Sequence, residues 1–313
     1  MNLIKFIEVF PNEQSCKDKF KEYRDTVGIV CKKCGNTEHY WLSTIEQYKC
    51  KSCEFRTTLK SGTVLENTKL PYRYWFIAMH LLTSTKKTFS SLELQRQLGH
   101  KNYGPIWAMM HKLRSLMGKR DDQYQLDKVV ELDEGFFKSV DTDKQTDDEE
   151  NLKRGRGSQK HSKVLVLAST QFDLEKGPGK KPTRFRYVKM IVVDDCKAET
   201  IEEQVDKYLV PVCVVKTDNY RSYSGLHKKV WKHIPQVVQG NQADKILPWV
   251  HTMISNAKRN LLGIHHMISK EYMQNYLNEF CYKVNRRYFG DKLFDRLLVA
   301  SVSYDWKMVQ SSQ

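Results

Sequence analysis

The sequence predicts an α/β chain in which a mixed sheet with flanking helices follows a small metal-binding module and a short helical region. Three observations support this prediction. Four of the eight cysteines form two close pairs near the N-terminus. Helical periodicity then runs from about residue 70 to residue 118. From residue 128 onward, strand-like segments are mixed with helices, a pattern typical of a layered α/β fold.

The overall composition is typical of a folded protein in aqueous solution. The chain has 313 residues with 40% hydrophobic content, enough for two or three domains with a sizeable core. No run approaches the roughly 20 apolar residues that span a bilayer, and the first 20 residues lack a signal-peptide cleavage pattern. We therefore expect a soluble, intracellular protein with no membrane partner.

The charge balance favours a polyanionic partner. The formal net charge is +15 and the pI is about 9.3. Nucleic acid is the first candidate for such a partner. The alternative is a charge that serves only solubility.

The cysteine pairs predict a zinc ribbon in residues 1–67, after an N-terminal helix. Cys31 and Cys34 form one C-x-x-C pair, and Cys50 and Cys53 form the second. Four thiolates at this spacing suit tetrahedral structural Zn²⁺, and a module this small has too little core to close without a metal. The alternative is a set of unrelated buried cysteines or a redox pair.

Basic residues surround the two cysteine pairs. Zinc ribbons bind DNA, RNA or protein, so the cysteines alone do not assign a role. The charges favour nucleic acid, because a polyanion is held mainly by cations placed along its phosphates. The candidate DNA-binding residues here are Lys32, Lys33, Lys51 and Arg56.

Residues 68–120 predict three short helices that resemble a helix-turn-helix. Pro71 marks the first start, Ser90 or Ser91 is the N-cap of the second, and Gly99-His100 breaks the chain before the third. We expect residues 103–117 to form the groove-facing helix. Its candidate DNA contacts are His111, Lys112 and Arg114.

Residues 121–313 predict the mixed sheet. Strand-like segments lie at 128–137, 163–170, 186–195 and 212–218, with a helix between the last two and further helices from about 247. A flexible insertion at about 139–161 is acidic and then basic, without an apolar anchor.

Two acids occupy strand positions that invite metal chemistry. Asp133 lies inside a strand on the same face as Glu131, and Asp218 ends another strand. Carboxylates on neighbouring strands can converge on divalent cations. Taken alone, each aspartate is more often a turn or edge residue.

Four blocks in order carry a family resemblance: VVELDEGFF, KTDNYRSYSGL, PWVHTMISNAKRNLLGIHH and YLNEFCYKVNRR. They resemble the Merlin-related insertion-sequence transposases of insertion sequence family 1595, in which a zinc ribbon precedes a DDE-type domain. The resemblance covers nearly the whole chain. It implies an RNase H-like fold, with Asp133 and Asp218 as the first two catalytic acids and as ligands of Mg²⁺ or Mn²⁺.

The third catalytic position departs from an acidic triad, because the third block contains no Glu. His251 lies two helical turns before Lys258, so both side chains share one face, and many DDE-type transposases have a basic residue at that spacing. Asn256 keeps the short spacing that the family has after the His-Thr pair, but it lies on a different face of the helix from Lys258. We favour His251 and keep Asn256 as the alternative. Neither brings the charge of Glu, so a weaker second metal site or an impaired enzyme is an open outcome.

The resemblance implies a DNA transposase that binds its terminal inverted repeats, cuts and joins the ends to a target. The resemblance implies double-stranded DNA as the partner and a homo-oligomer that assembles on this DNA. It also implies a location in the bacterial cytoplasm, at the nucleoid. The first alternative is a non-catalytic DNA-binding protein. A second alternative is a zinc-ribbon scaffold bound to RNA or to a polymerase, but such a scaffold would not need carboxylates on two neighbouring strands. Further candidate DNA contacts are Lys258, Arg259, Arg286 and Arg287.

Overall fold

The computed structural model describes residues 1–140, 161–172, 183–237, 246–265 and 267–305. The insertion expected at about 139–161 lies almost wholly outside the described residues. Contacts divide the chain into two compact units, Met1–Arg120 with Tyr288–Gln313, and Asp121–Arg287. This grouping differs from the predicted ranges at the C-terminus, because the last helix packs on helices near the N-terminus.

The first unit combines a small antiparallel sheet with helices. The sheet has the strand order β1-β2-β3, and its second strand ends at Cys50. In chain order the elements are α1 Leu3–Val9, α2 Glu13–Val27, β1 His39–Leu42, β2 Gln47–Cys50, β3 Arg56–Thr58, α3 Tyr72–Ser84, α4 Ser91–Leu98 and α5 Tyr103–Asp121, followed much later by α9, Leu293–Ser303.

Local sequence signals set the ends of these helices. Asn12 and Ser15 form a reciprocal capping box at the start of α2. The Ser90 hydroxyl accepts from the Glu93 amide at 3.0 Å, so Ser90 is the N-cap of α4. Gly99 then ends α4 in the left-handed region at φ 60°. The predicted series of three short helices is therefore present.

One buried arginine ties together separate parts of the first unit. Arg24, at the end of α2, donates to the carbonyls of Ser61 at 2.8 Å and Val302 at 2.9 Å. Its guanidinium replaces water with backbone acceptors, which is how a buried charge is tolerated. The contact explains why the C-terminal helix belongs with the N-terminal unit.

The second unit is built around one mixed sheet with the strand order β6-β5-β4-β7-β8. The β4–β5 and β5–β6 pairs are antiparallel, whereas β4–β7 and β7–β8 are parallel. This is the predicted mixed sheet. Its elements are β4 Val129–Lys138, β5 His161–Phe172, β6 Thr183–Val193, α6 Ala198–Tyr208, β7 Val214–Asp218, a 3-10 helix at Arg221–Lys228, β8 Lys232–Gln236, α7 Pro248–Leu262 and α8 Lys270–Asn285.

Apolar side chains cover both faces of this sheet. One core packs α7 and α8 against Phe137, Val164 and Val166. The other packs α6 and the 3-10 helix against Val130 and Leu132. The sheet is thus a central layer, and alternate residues of β4 face different helices.

Two amide side chains of α8 cover the backbone of the edge strand β6. Asn285 accepts from the Val188 amide at 2.8 Å and donates to its carbonyl at 2.9 Å. Gln274 accepts from the Val192 amide at 2.8 Å and donates to the Met190 carbonyl at 3.0 Å. These bonds occupy groups that would otherwise pair with another strand. Among the described residues, no helix has the combined length and apolarity of a membrane span.

Candidate active site

Asp133 and Asp218 occupy matching positions on neighbouring parallel strands. Glu131 of β4 pairs in register with Lys216 of β7. Each aspartate lies two residues further along its strand and therefore on the same face as that pair. Adjacent strands are about 4.8 Å apart, so a register continued for two residues beyond the Glu131–Lys216 pair would bring the two acids close together.

A buried carboxylate holds the first turn of α7 against β4. Oε2 of Glu131 accepts from the backbone amides of Trp249 at 2.8 Å and Val250 at 3.0 Å. The N-cap of α7, Leu247, provides no side-chain cap of its own. Glu131 therefore satisfies amides that a helix start leaves open, with its negative charge at the positive end of the helix. The sequence placed Glu131 beside Asp133 but gave it no role.

His251 contacts the first candidate acid directly. Its Nε2 lies 3.0 Å from Oδ2 of Asp133, while Oδ1 of Asp133 accepts from the Glu134 amide at 2.8 Å. The side chains of His251 and Asp133 are 25% and 17% exposed. They are therefore shielded by the fold but still within reach of a ligand.

The other α7 candidates divide between two sides of the helix. Lys258 is two turns after His251, and its ammonium lies 5.6 Å from the centre of the Phe137 ring on β4. His251 and Lys258 thus share the face that runs along β4. Asn256 is exposed and turned about 140° around the helix from His251, away from Asp133.

A glycine permits α7 to approach β4 closely. A Cβ at Gly135 would lie 2.9 Å from a ring carbon of Phe137 and 3.4 Å from Cγ1 of Ile254. Gly135 is two residues after Asp133, and Ile254 is one turn after His251. The absence of a side chain at residue 135 therefore helps to set the distance between the helix and the acid-bearing strand.

A buried tyrosine, Tyr223, lies in the core on the other face of the sheet and was not identified from the sequence. Burial, followed by the nearby carboxylates of Glu134, Asp133 and Asp218, raises the pKa of Tyr223. Asp218 also accepts from the Tyr220 amide at 3.1 Å, which turns the chain into the 3-10 helix that carries Tyr223. The only sequence signal was its place in the second family block, five residues after Asp218.

The two carboxylates fit a hard divalent cation. The 3.0 Å separation of His251 Nε2 and Asp133 Oδ2 is that of a direct hydrogen bond, and it also equals the spacing of two neighbouring ligands of an octahedral ion at about 2.1 Å. Carboxylate oxygens suit Mg²⁺ or Mn²⁺, whereas imidazole is a softer ligand that suits transition metals. In the described part of the chain, however, Asp133, Asp218 and His251 do not form a group whose ligand atoms all lie within 4.8 Å of one another.

The four ribbon cysteines do form such a group. Their sulfur atoms lie within 4.8 Å of one another, with Cys31–Cys53 at 3.5 Å and Cys34–Cys50 at 3.6 Å. A tetrahedral ion with Zn–S bonds of about 2.3 Å separates its sulfurs by about 3.8 Å. The arrangement therefore fits a single zinc ion.

Backbone amides lower the pKa of two of these thiols, whereas at Cys53 the effect of the Phe55 amide is outweighed by desolvation and the neighbouring sulfurs, which raise its pKa to about 12. Against an opposing effect of desolvation, the amides of Cys34 and Lys33 lower the pKa of the Cys31 thiol to about 6. The Cys53 amide is the main cause of a lowered pKa at Cys50. The thiolate is the form that binds a metal.

The two turns that carry the cysteines have the same backbone design with different residues. The Gly35 amide donates to the Cys31 carbonyl at 2.9 Å, and the Glu54 amide donates to the Cys50 carbonyl at 3.1 Å. Both donors adopt the left-handed region, with φ of 74° at Gly35 and 60° at Glu54. Only the first turn has the glycine that this conformation favours.

The ribbon cations predicted to bind DNA all lie on the surface. Lys32 pairs with Glu66 at 2.8 Å and Lys51 with Glu38 at 3.5 Å. The Lys51–Glu38 pair is exposed, and such pairs are weak and can exchange a carboxylate for a phosphate, whereas the Glu66 side chain is only 13% exposed. The exposed set is Lys32, Lys33, Lys51 and Arg56.

The groove-facing prediction for α5 is wrong for two of its three basic side chains. Arg114 is fully buried and donates to the Phe89 carbonyl at 3.0 Å. His111 is buried against Trp107. Lys112 is half-buried and donates to the Glu66 carbonyl at 2.7 Å, and its burial lowers its pKa. The face expected to meet DNA is covered by the chain around residues 66 and 89, so α5 is a core helix from Met109 onward.

The prediction for Arg286 is also wrong, whereas Arg259 and Arg287 are exposed. Arg286 is buried, forms an ion pair with Asp121 and stacks 4.0 Å from the centre of the Tyr282 ring. It completes a buried network in the second unit and cannot meet a phosphate there. Arg259 and Arg287 project from the surface, so they keep the predicted role as candidates.

Comparisons with known proteins agree with this architecture. The family model "ISXO2-like transposase domain" matches residues 125–285, and "Transposase zinc-ribbon domain" matches residues 11–56. An uncharacterized protein in transposable element ISH50 of Halobacterium salinarum is 24% identical over 289 residues, covering 88% of this chain and 91% of that protein.

Solved structures give weaker likenesses. The pre-cleavage Mos1 transpososome has a TM-score of 0.28 at 13% identity, covering 76% of this chain and 81% of that chain. The Mos1 mariner paired end complex with Mn has a TM-score of 0.28 at 14% identity, with the same coverage. At such TM-scores the likeness supports no conclusion about the site. The first family match spans more than half of the chain, and the chain therefore belongs to the ISXO2-like transposase family.

Proposed function

We propose that the chain is a DNA transposase that binds the terminal inverted repeats of its element and catalyses metal-dependent cleavage and strand transfer. One observation carries the proposal. Asp133 and Asp218 lie at matching positions of two parallel strands, on the face where α7 brings His251 to Asp133. A structural sheet has no need of two adjacent, partly accessible carboxylates on its packed face.

Asp133 and Asp218 would hold Mg²⁺ or Mn²⁺, and His251 would serve as the third group. When bound, the ions would supply charge stabilisation at the scissile phosphate and a more acidic nucleophile. The chain's own task is to hold the carboxylates in place. Glu131 contributes by fixing the start of α7. Gly135 contributes because its lack of a side chain allows α7 to lie close to β4. Lys258 and Arg259 lie further along α7, where a DNA strand leaving the acids would meet them.

DNA recognition is assigned mainly to residues 1–120. The exposed ribbon cations support this assignment, and four cysteines holding Zn²⁺ would fix the surface that carries them. Phosphate contacts by lysine and arginine release counterions, so binding should weaken steeply as salt rises. Equal binding by residues 120–313 alone would overturn the assignment. We further propose that the chain acts as a homo-oligomer, because two element ends must be cut and joined together.

Cleavage of a duplex that carries the repeats flanking the gene tests the proposal. Asp133→Asn and Asp218→Asn should each reduce cleavage in Mg²⁺ or Mn²⁺ about a thousandfold, because several kcal/mol of charge stabilisation would be lost. Specific binding should persist. Asp194→Asn is the matched control, since Asp194 is an exposed aspartate just beyond the end of β6. Equal activity of all three variants would refute the catalytic assignment.

A non-catalytic DNA-binding protein is the second candidate. It is favoured by the lack of a third carboxylate on α7 and by the open arrangement of Asp133, Asp218 and His251. Specific end binding without any metal-dependent cleavage by the wild-type chain would select it.

A further inference from the structure

An open cavity of about 210 Å³ lies in the second unit, beyond the candidate acids along β4 and α7. It lies between the end of β4, the start of β5, the last turns of α7 and the start of α8. With a liquid water molecule occupying about 30 Å³, the space is equivalent to about seven waters, the scale of one planar ring system. Its lining residues are Phe136, Phe137, Lys138, His161, Lys258, Leu261, Leu262, His265, Ile268 and Met273.

The lining combines an apolar interior with a basic rim. Six of the ten residues are apolar or aromatic, and the other four are lysines or histidines without a single acid. An isolated phosphate would not require the apolar walls, and a purely apolar ligand would not require the cations. A nucleotide requires both, because its base has two apolar faces and its phosphates are anionic.

The cavity also lies further along β4 and α7 than the candidate acids and His251. Phe137 is four strand residues beyond Asp133, about 13 Å at the usual rise. Lys258 is seven helix residues beyond His251, about 10 Å. At about 3.4 Å per nucleotide along one strand, this distance corresponds to roughly three to four nucleotides from the scissile phosphate, and to fewer in an unstacked strand.

We propose that this cavity binds one unstacked base of the DNA strand a few nucleotides from the cut, with Lys138 and Lys258 contacting the adjacent phosphates. The inference rests on the proposed function and adds a nucleotide site to it. A base that leaves the duplex loses pairing and stacking energy, and the apolar walls of the cavity offset that loss.

The test uses the full chain and duplexes carrying the flanking repeat, without added Mg²⁺ or Mn²⁺. A single 2-aminopurine is placed at each of the four positions on either side of the cut. We expect protein binding to raise its fluorescence at one position. A mismatch opposite that position should tighten binding about tenfold, because the duplex no longer resists opening there.

Two surface variants address the cavity without disturbing the core. Leu262→Trp fills it from a side chain that is 57% exposed, and Lys138→Glu reverses a charge at its exposed rim. Both should abolish the fluorescence rise and the mismatch effect. Met267→Trp is the matched control, because Met267 is 73% exposed and does not line the cavity. It should behave as wild type.

The outcomes separate this proposal from the catalytic one. If wild type cleaves DNA but no position unstacks, or if both cavity variants unstack the base as wild type does, the cavity proposal fails while the proposed function stands. If one base unstacks in the cavity-dependent way but no metal supports cleavage, the cavity proposal stands and the catalytic assignment fails. Absence of any DNA binding overturns both.

Discussion

The ribbon brings its four sulfurs together within a short stretch of chain, with Cys31 and Cys53 only 22 positions apart. The candidate active site instead combines β4, β7 and α7, with His251 118 positions from Asp133. Two short turns hold the ribbon ligands. The sheet acids depend on strand register and on the placement of one helix. The first site should therefore depend on its ligands and on the two turns that carry them, and the second also on residues far along the chain that never touch a metal.

The largest expected effect is at the ribbon. Cys34→Ser should abolish zinc binding and unfold residues around the ribbon, because structural zinc supplies about 10 kcal/mol or more to such a module. Metal analysis and a thermal melt measure this outcome. Cys196→Ser is the control, since Cys196 lies outside the cluster. Less than half a zinc per chain in the freshly purified wild-type protein would contradict the assignment.

Exchanges on α7 decide between the two candidates for the third catalytic position. His251→Ala should lower the rate of metal-dependent cleavage about a hundredfold, because it removes a group 3.0 Å from Asp133. Asn256→Ala should change it by less than about threefold, because Asn256 is exposed on another side of the helix. The reverse order in single-turnover rates would assign the position to Asn256.

Substitutions of Glu131 test whether the candidate active site depends on a residue that positions α7 without binding the metal. Glu131→Leu should cost about 2–3 kcal/mol of unfolding free energy, because two helix amides lose their acceptor. Glu131→Gln keeps one oxygen acceptor and should cost about half as much while retaining most of the cleavage activity. Chemical denaturation and cleavage rates measure both. A complete loss of activity in Glu131→Gln with normal stability would instead make Glu131 a metal ligand.

The contrast between a local site and a site assembled from distant segments also explains how much of each region the sequence could predict. The cysteine spacing is local, so it predicted the ribbon, and the acids were identified because strand alternation and the family blocks marked them. The burial of Arg114 and Arg286 was not predictable, because helical periodicity cannot tell a solvated face from one covered by distant loops. The role of Glu131 was missed for a similar reason, since its partners are backbone amides 118 and 119 positions away.

The smallest expected effect compares the two cysteine turns with each other. Gly35→Ala should destabilise the ribbon by about 1 kcal/mol, because φ of 74° is unfavourable for a residue with a Cβ. Glu54→Gly should stabilise it by up to about 1 kcal/mol, because it relieves that cost at the equivalent position, partly offset by its weak pair with Lys49. Thermal melts of the zinc-loaded protein distinguish the two signs, and equal signs would contradict the shared backbone design.

The most direct measurement of the central claim is a crystal structure of the full chain with Mn²⁺. Our account predicts a manganese ion bound at about 2.1–2.2 Å by a carboxylate oxygen of Asp133 and of Asp218, with His251 beside it. The anomalous signal of manganese would locate the ion independently of the protein. Carboxylates of Asp133 and Asp218 more than about 8 Å apart, beyond the reach of a two-metal site with ions near 4 Å, would contradict it.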